Sequence, residues 1–399
     1  MSKTLTLAVI GSALVLSLLV AFVPGSERGS LGRWNSDHYS HYSATILFWH
    51  RGLAIYDTPI HELCDATTPS SRAFAQERDL SEEDVCELGE RAGKRPLIIN
   101  WPEYPRPYPP GQLLFTAPEA LLYAHTDVSR YAINRLAVIK DLLAGHLVVW
   151  LLLSMLFLGP DDEERRRWRS FGLLVAPLVY FAIVPGSVVG FYDPISIACV
   201  CLAIARLRDA KPVAGLMWLS LSVFLHLRAI WYAPLGLVCL LRLRSPEHRD
   251  ELSTTKGKLQ LFVVLATLAL TAMMLTRVAP YLAKFPATNN SLLLRNPLSP
   301  SSLNLIFLVG IVGVTLALER QWLLVLVIAW QGAVIGTTYQ VQTWHGMFFV
   351  PLLALARWKR TSPPSLGAVL VFFVGVTRLV FGTTPLPGMF FGNLIDGNF

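Results

Sequence analysis

The sequence predicts an all-α, polytopic membrane protein with about 11 transmembrane helices, plus amphipathic and re-entrant helices in a large first outer loop. Three observations predict it. Apolar residues make up 53% of the 399-residue chain, and charged residues 15%, where a soluble domain carries about 25%. The apolar residues gather into long runs. Lys and Arg recur between alternate runs, the signature of short cytoplasmic loops.

The same numbers exclude other classes. An aromatic content of 11% and long apolar runs rule out disorder, and 5 Cys in 399 residues rule out a cysteine-stapled small domain. The net charge of +7 reads as topology. A nucleic-acid partner would need a clustered basic face with interleaved aromatics, and none is seen.

The first element is Leu5–Val23, a 19-residue apolar run behind Lys3. It reads as an anchor that crosses, because it is longer than a usual signal-peptide core and Ala21-Phe22-Val23-Pro24 is a poor cleavage site. The next crossings are Ile133–Leu158, Phe171–Val189, Pro194–Ala205, Val213–Leu225, Ile230–Leu241 and Leu259–Met274. Leu303–Leu318, Trp322–Ile335, Met347–Ala356 and Leu366–Phe381 follow. Several are short and must tilt, borrow flanking residues or end in a wet cavity. Alternation puts Arg165–Arg169, Arg206–Lys211, Arg242–Lys258, Arg320 and Arg357–Arg360 all on the side of Lys3. The N-terminus is then inside and the C-terminus outside. Gln112–Ala124, short and holding Pro118 and Glu119, reads as a half-helix or re-entrant segment on the outer side. The whole chain, 1–399, reads as one membrane domain with a large extracytoplasmic loop at 24–110.

Polar residues of possible chemistry collect on the outer side. Trp34 to Tyr42 includes Asp37 and Tyr39, and from Tyr39 to Ile55 the apolar spacing predicts an amphipathic helix in the outer interface. Asp37 is there either an N-cap or a working carboxylate. Trp101 to Gly111 holds five prolines, Arg106 and Tyr108, a stiff extended path that either walls a sugar site or links two segments. Gly190-Phe191-Tyr192-Asp193-Pro194 is a tight outer turn, with Asp193 a substrate contact or a helix cap. In His226-Leu227-Arg228, an Arg near membrane depth calls for a partner; a phosphate suits it, and snorkelling is the alternative. His345 stands at the outer mouth of a late crossing. Cys64 and Cys86 are the only Cys outside apolar runs, and in an oxidising compartment they are disulfide candidates. The sequence shows no zinc spacing and no phosphate loop, so no metal and no cofactor is assigned; a divalent metal stays open.

The order of these residues resembles a known family. One N-terminal span is followed by Asp37 with Tyr42, Gly52 and Tyr56, then Tyr108-Pro109-Pro110, then an outer turn ending in Asp193, then Arg228 after a short span. This resembles the GT-C glycosyltransferases that use polyprenyl-phosphate sugars, in particular the GPI mannosyltransferase I type and the bacterial polyprenol-phosphate-mannose-dependent enzymes. The resemblance covers about Leu5 to Leu241. It departs from the family's acidic pair: Ser36-Asp37-His38-Tyr39 holds one acid, which leaves metal dependence open. The resemblance implies a transferase moving a sugar, mannose foremost, from a polyprenyl-phosphate donor to a glycolipid or glycan acceptor, with inversion. Asp37 would be the general base. Tyr39, Tyr108, Asp193, Arg228 and His345 would bind donor or acceptor. The protein would work in a bacterial inner membrane or the ER membrane, on the extracytoplasmic or luminal side, with membrane lipid as its other partner. The rival reading is a transporter or lipid flippase, whose inverted repeats and matching broken helices are not visible here.

Overall fold

The computed structural model describes residues 3–22, 32–65, 68–77, 85–88, 96–99, 102–106, 108–157, 162–189, 193–282, 323, 326–331, 347–357, 363, 365, 367, 369, 370, 372 and 373; for 3, 32–38, 70, 74, 77, 185, 186, 188, 189, 249 and 282 it describes the backbone alone. The crossing assigned to Leu303–Leu318 lies outside these residues, as do half of Trp322–Ile335 and most of Leu366–Phe381. The described chain is mostly helical. Among the described residues, four helices are long and apolar enough to cross a membrane: α1 (Lys3–Phe22), α6 (Arg130–Phe157), α7 (Asp162–Val189) and α12 (Thr255–Leu282). Two compact units form, one of Ser17–Lys140, Ala269–Phe285 and Gly388–Phe399, the other of Met1–Leu16, Asp141–Leu268 and Pro286–Pro387.

The unit containing 17–140 is built around α2 (Gly32–Arg51). The spacing of Tyr42, Ile46, Trp49 and Leu53 predicts an interfacial helix with one wet face. Instead every residue from Tyr39 to Leu47 is buried, because α4 (Pro110–Phe115), α5 (Ala117–His125) and β2 (Leu97–Ile98) pack on several sides of α2. The polar residues of that stretch are used internally. Thr45 shares a 2.7 Å hydrogen bond with Thr116, and Ser43 accepts the Ile98 N–H at 3.3 Å. The helix stops at Gly52, whose φ of +60° turns the chain into a 3₁₀ segment, Gly52–Tyr56. The stretch predicted as a half-helix is two short helices, α4 and α5, broken at Thr116.

After α2 the chain forms a short 3₁₀ turn at Ile60–Leu63, then α3 (Pro69–Glu77) and β1 (Val85–Cys86), which pairs antiparallel with β2. Asp65 bridges to Glu87, so Cys64 and Cys86 arrive side by side and form a disulfide. The C-terminal end of α12 is fastened to this region: Arg277 pairs with the Asp57 carboxylate, and the Tyr281 hydroxyl donates to the Asp57 carbonyl at 3.0 Å. Lys140, within the apolar run Ile133–Leu158, pairs with buried Glu119 at 2.5 Å and donates to the Phe115 carbonyl at 2.7 Å. That pairing explains how a lysine fits at the start of an apolar run.

The other unit centres on α8 (Asp193–Arg208), α9 (Pro212–Leu225) and α10 (Ala233–Leu243). Ser196 and Ser222 lock α8 to α9: their hydroxyls lie 2.9 Å apart, and each also donates to the other's carbonyl. Ala210 ends α8 with φ +57°; Lys211 N–H reaches the Arg206 carbonyl at 2.9 Å and Ala210 N–H the Leu207 carbonyl at 3.3 Å, a Schellman cap. Pro212 opens α9, and the Glu251 carboxylate of α11 (Pro246–Ser253) accepts its free Val213 and Ala214 N–H groups at 3.3 and 3.4 Å. Arg208 donates to the Met155 carbonyl and Arg242 to the Leu207 carbonyl. Arg357, after α13 (Leu352–Ala356), forms a buried pair with Glu164 at 2.5 Å and lies over Trp168. Ser12, His146 and Tyr180 join α1, α6 and α7 by hydrogen bonds, with the Ser12 hydroxyl 2.9 Å from His146 Nε2.

Candidate functional site

Two polar clusters stand out, one in each unit. The first brings together two turns that are 33 residues apart in sequence, at Asp193 and His226. Asp193 is the first residue of α8, with Pro194 next, so its carboxylate sits at the positive end of the helix. α9 ends at Leu225. His226 is extended there, and its Nδ1 accepts the Arg228 N–H at 3.0 Å, capping the 3₁₀ segment Leu227–Tyr232. That bond fixes the tautomer. Nδ1 must carry its lone pair, so the proton is on Nε2, which donates to Asp193 Oδ1 at 2.9 Å.

Arg228 completes the group. Its Nη1 lies 3.1 Å from His226 Nε2 and 4.0 Å from Asp193 Oδ2, so two donors bear on one carboxylate. Exposure grades outward: Asp193 is 2% and His226 5% exposed, while the Arg228 side chain is 31% exposed. Asp193 Oδ2 has no hydrogen bond among the described residues. Burial holds the His226 pKa below its ordinary value, and the Asp193 charge opposes that shift without overcoming it. The floor of the cluster is aromatic: His226 packs on Phe348 at 5.7 Å, Trp231 on the same ring, and the Tyr232 hydroxyl donates to the Phe348 carbonyl at 2.5 Å.

The second cluster lies on α2. The proline-rich path is strapped down by backbone bonds, Arg106 N–H to the Ile55 carbonyl at 2.7 Å and His61 N–H to the Pro102 carbonyl at 2.9 Å. This carries the Arg106 side chain into the unit, 2% exposed. The guanidinium donates to Ser40 Oγ at 3.3 Å, to Gln112 Oε1 at 3.1 Å and to His41 Nδ1. It lies 4.5 Å over the Tyr108 ring, whose neighbour edge-on is His41 at 5.2 Å. Tyr39 packs edge-on against Tyr42 at 5.5 Å. Tyr56 is fully buried nearby; burial drives its hydroxyl pKa well up, and the Arg106 charge draws it partly back, so it stays neutral.

Of the residues singled out from sequence, Asp193 and Arg228 meet in the first cluster, and Tyr108 belongs to the second. Tyr39 shares α2 with that cluster. Asp37 falls in the second turn of α2, five residues after Gly32, and therefore is not its N-cap; its side chain lies outside the described residues. His345 also lies outside them. Sequence reading passed over His226 and Arg106 as site residues. The signal was present in both cases: a His two residues before an Arg at a helix end, and a lone Arg within a proline run. Among the described residues, no three His, Cys, Asp or Glu converge in a way that could hold a metal ion. No protein-family model, no curated protein and no solved structure matches this chain.

Proposed function

We propose that this protein is a membrane glycosyltransferase of GT-C type. It moves a sugar, mannose foremost, from a polyprenyl-phosphate donor to a lipid-linked or glycan acceptor on the extracytoplasmic face. The observation that supports this best is the convergence of Asp193, His226 and Arg228. A buried carboxylate, itself hydrogen-bonded by a neutral imidazole, faces one guanidinium whose outer end reaches solvent at the end of apolar helices. That is a fitting receptor for a lipid phosphate.

The reaction needs little else. The acceptor oxygen attacks the anomeric carbon from the face opposite the phosphate. The C1–O bond to phosphate breaks, its electron pair leaves with polyprenyl phosphate, and the acceptor proton passes to a base. Arg228 offsets the charge on the departing phosphate. Asp37 is the proposed base, one helical turn before His41 in α2. Tyr39 and Tyr108 are the proposed sugar or acceptor contacts, and His345 a second phosphate contact.

The proposed topology has 11 crossings. Several contacts within one unit favour it. Glu164–Arg357, Arg208–Met155, Arg242–Leu207 and Glu251 with Val213 each join two segments assigned to the cytoplasmic end. Asp193–His226 and Tyr232–Phe348 join segments assigned to the outer end. An alternation error at any single crossing between Glu164 and Arg357 would put those two partners on opposite sides.

The test is sugar transfer by the purified chain in lipid, using radiolabelled polyprenyl-phosphate sugars and membrane glycolipid acceptors. Asp37→Asn should lose transfer by roughly 10²–10⁴-fold while remaining folded, the range for a lost general base. Transfer by Asp37→Asn equal to wild type would remove Asp37 from the chemistry. Flipping of donor lipid with no sugar transferred would make the protein a flippase.

A further inference from the structure

A cavity of about 550 Å³ lies in one unit, where the ends of α8, α9, α11 and α12 come together. Arg206 and Lys211 lie at the ends of α8 and α9 opposite those that carry Asp193 and His226. Arg206, Lys211 and Lys256 line it, with Trp218 and Met217 on its apolar wall and Glu247 and Glu251 as its acids. Glu251 is committed to the Val213 and Ala214 N–H groups. The lining therefore carries three cations and two carboxylates, one of which is held by backbone N–H groups. Asp209 offers Arg206 only a loose pair at 3.7 Å. The cavity also receives the N-terminal end of α12, through Lys256 and Gly257. Lys211 and Lys256, both exposed, offer an anion two ammonium groups there.

The setting decides which anion. The cavity stands where four helix ends meet basic loops, the level of a membrane surface, and its wall runs from exposed lysines to Trp218 and Met217. A free phosphate would use only the charged half. A lipid headgroup would use both, with phosphate at the lysines and acyl chains along the tryptophan. We infer that this cavity binds the phosphate headgroup of an anionic glycerophospholipid from the leaflet that faces the basic loops. This inference stands independently of the transferase reading.

The experiment uses the purified full chain in neutral detergent. Binding of phosphatidylglycerol is measured by native mass spectrometry and by the rise in thermal stability. Phosphatidylcholine and inorganic phosphate are the comparison arms, and the variant is Lys211→Gln with Lys256→Gln. Both lysines are exposed, so the double variant should fold, and its melting without lipid checks that it does. The expected result is phosphatidylglycerol binding to wild type, roughly twentyfold weaker in the double variant, with little effect of phosphatidylcholine. Equal binding by both proteins would overturn the site. An equal shift from inorganic phosphate would overturn the lipid in favour of a soluble phosphate compound. Equal effects of phosphatidylcholine and phosphatidylglycerol would show that charge plays no part, and would overturn the proposal as well.

Discussion

The Asp193–His226–Arg228 cluster makes the sharpest prediction, because its protonation state follows from geometry. His226 donates to Asp193 through Nε2 and accepts a backbone N–H at Nδ1, so no site remains for a second proton unless the cap breaks. The fold therefore holds His226 neutral, with a pKa below the ordinary ~6.5. The sign follows from linkage. As pH falls below about 6.5, the unfolded chain takes up a proton at His226 that the folded chain refuses, so stability falls with pH by up to about 1.4 kcal/mol per unit. Above that value the group contributes no pH dependence. His226→Gln removes the titration but retains a side chain that hydrogen-bonds. Its direct cost should be about 2 kcal/mol: a hydrogen bond to a carboxylate is worth ~1.5–3 kcal/mol, and glutamine recovers part of it. The assay is thermal unfolding of the purified protein in detergent from pH 8 to pH 5, wild type against His226→Gln. The two curves should be parallel above pH 7 and converge below pH 6.5. Curves that stay parallel down to pH 5 would refute the neutral, capped His226.

Four further outcomes follow from named contacts. Asp193→Asn with Arg228→Gln should show a coupling of about 1 kcal/mol in a double-mutant cycle of stability, since 4.0 Å separates the two and Arg228 is partly solvated. Ala210→Gly should stabilise the protein by about 1 kcal/mol in the same melting assay, because alanine at φ +57° pays a backbone cost that glycine avoids. Gly52→Ala should destabilise by about 1 kcal/mol through the backbone alone, since its φ is +60° and, among the described residues beyond its chain neighbours, no atom lies within 4 Å of the added methyl. Reducing Cys64–Cys86, which spans 22 residues, should cost about 3 kcal/mol by the chain-entropy relation, read as a lower melting temperature in dithiothreitol that Cys64→Ser with Cys86→Ser no longer shows.

How much of this was legible in the sequence depends on what each residue answers to. The helices α1, α6, α7 and α12 follow directly from apolar runs, because length and hydropathy alone decide whether a segment can cross. Ile230–Leu241 reads as one run yet divides into a 3₁₀ segment and α10. Pro234 sits near the start of α10, and His226 caps the chain before it, so composition could not show the break. α2 was misplaced for a different reason. Helical periodicity reports which residues are apolar, and Ser40, His41, Ser43 and Thr45 are polar yet buried, because Arg106, Thr116 and Ile98 supply their partners from distant segments.

The same distinction governs the candidate sites. Asp193 and Arg228 could be suspected singly, since a carboxylate opening a helix and an arginine near membrane depth each need an explanation. Their partnership could not be read, because it depends on α8 and α9 lying side by side. The element that fixes this packing is plain in the structure: Ser196 and Ser222 exchange hydrogen bonds partway along the two helices, and small hydroxyls allow the close approach. From that contact the rest follows. Pinning Ser196 against Ser222 brings Asp193, three residues before the first, level with His226, four residues after the second. One helical turn separates each serine from its site residue, and the antiparallel turn of the chain carries both in the same direction. The serine pair thus sets the register of the acid–imidazole–guanidinium cluster, which no spacing in the sequence announces. Disturbing that pair should move Arg228 before it unfolds the helices.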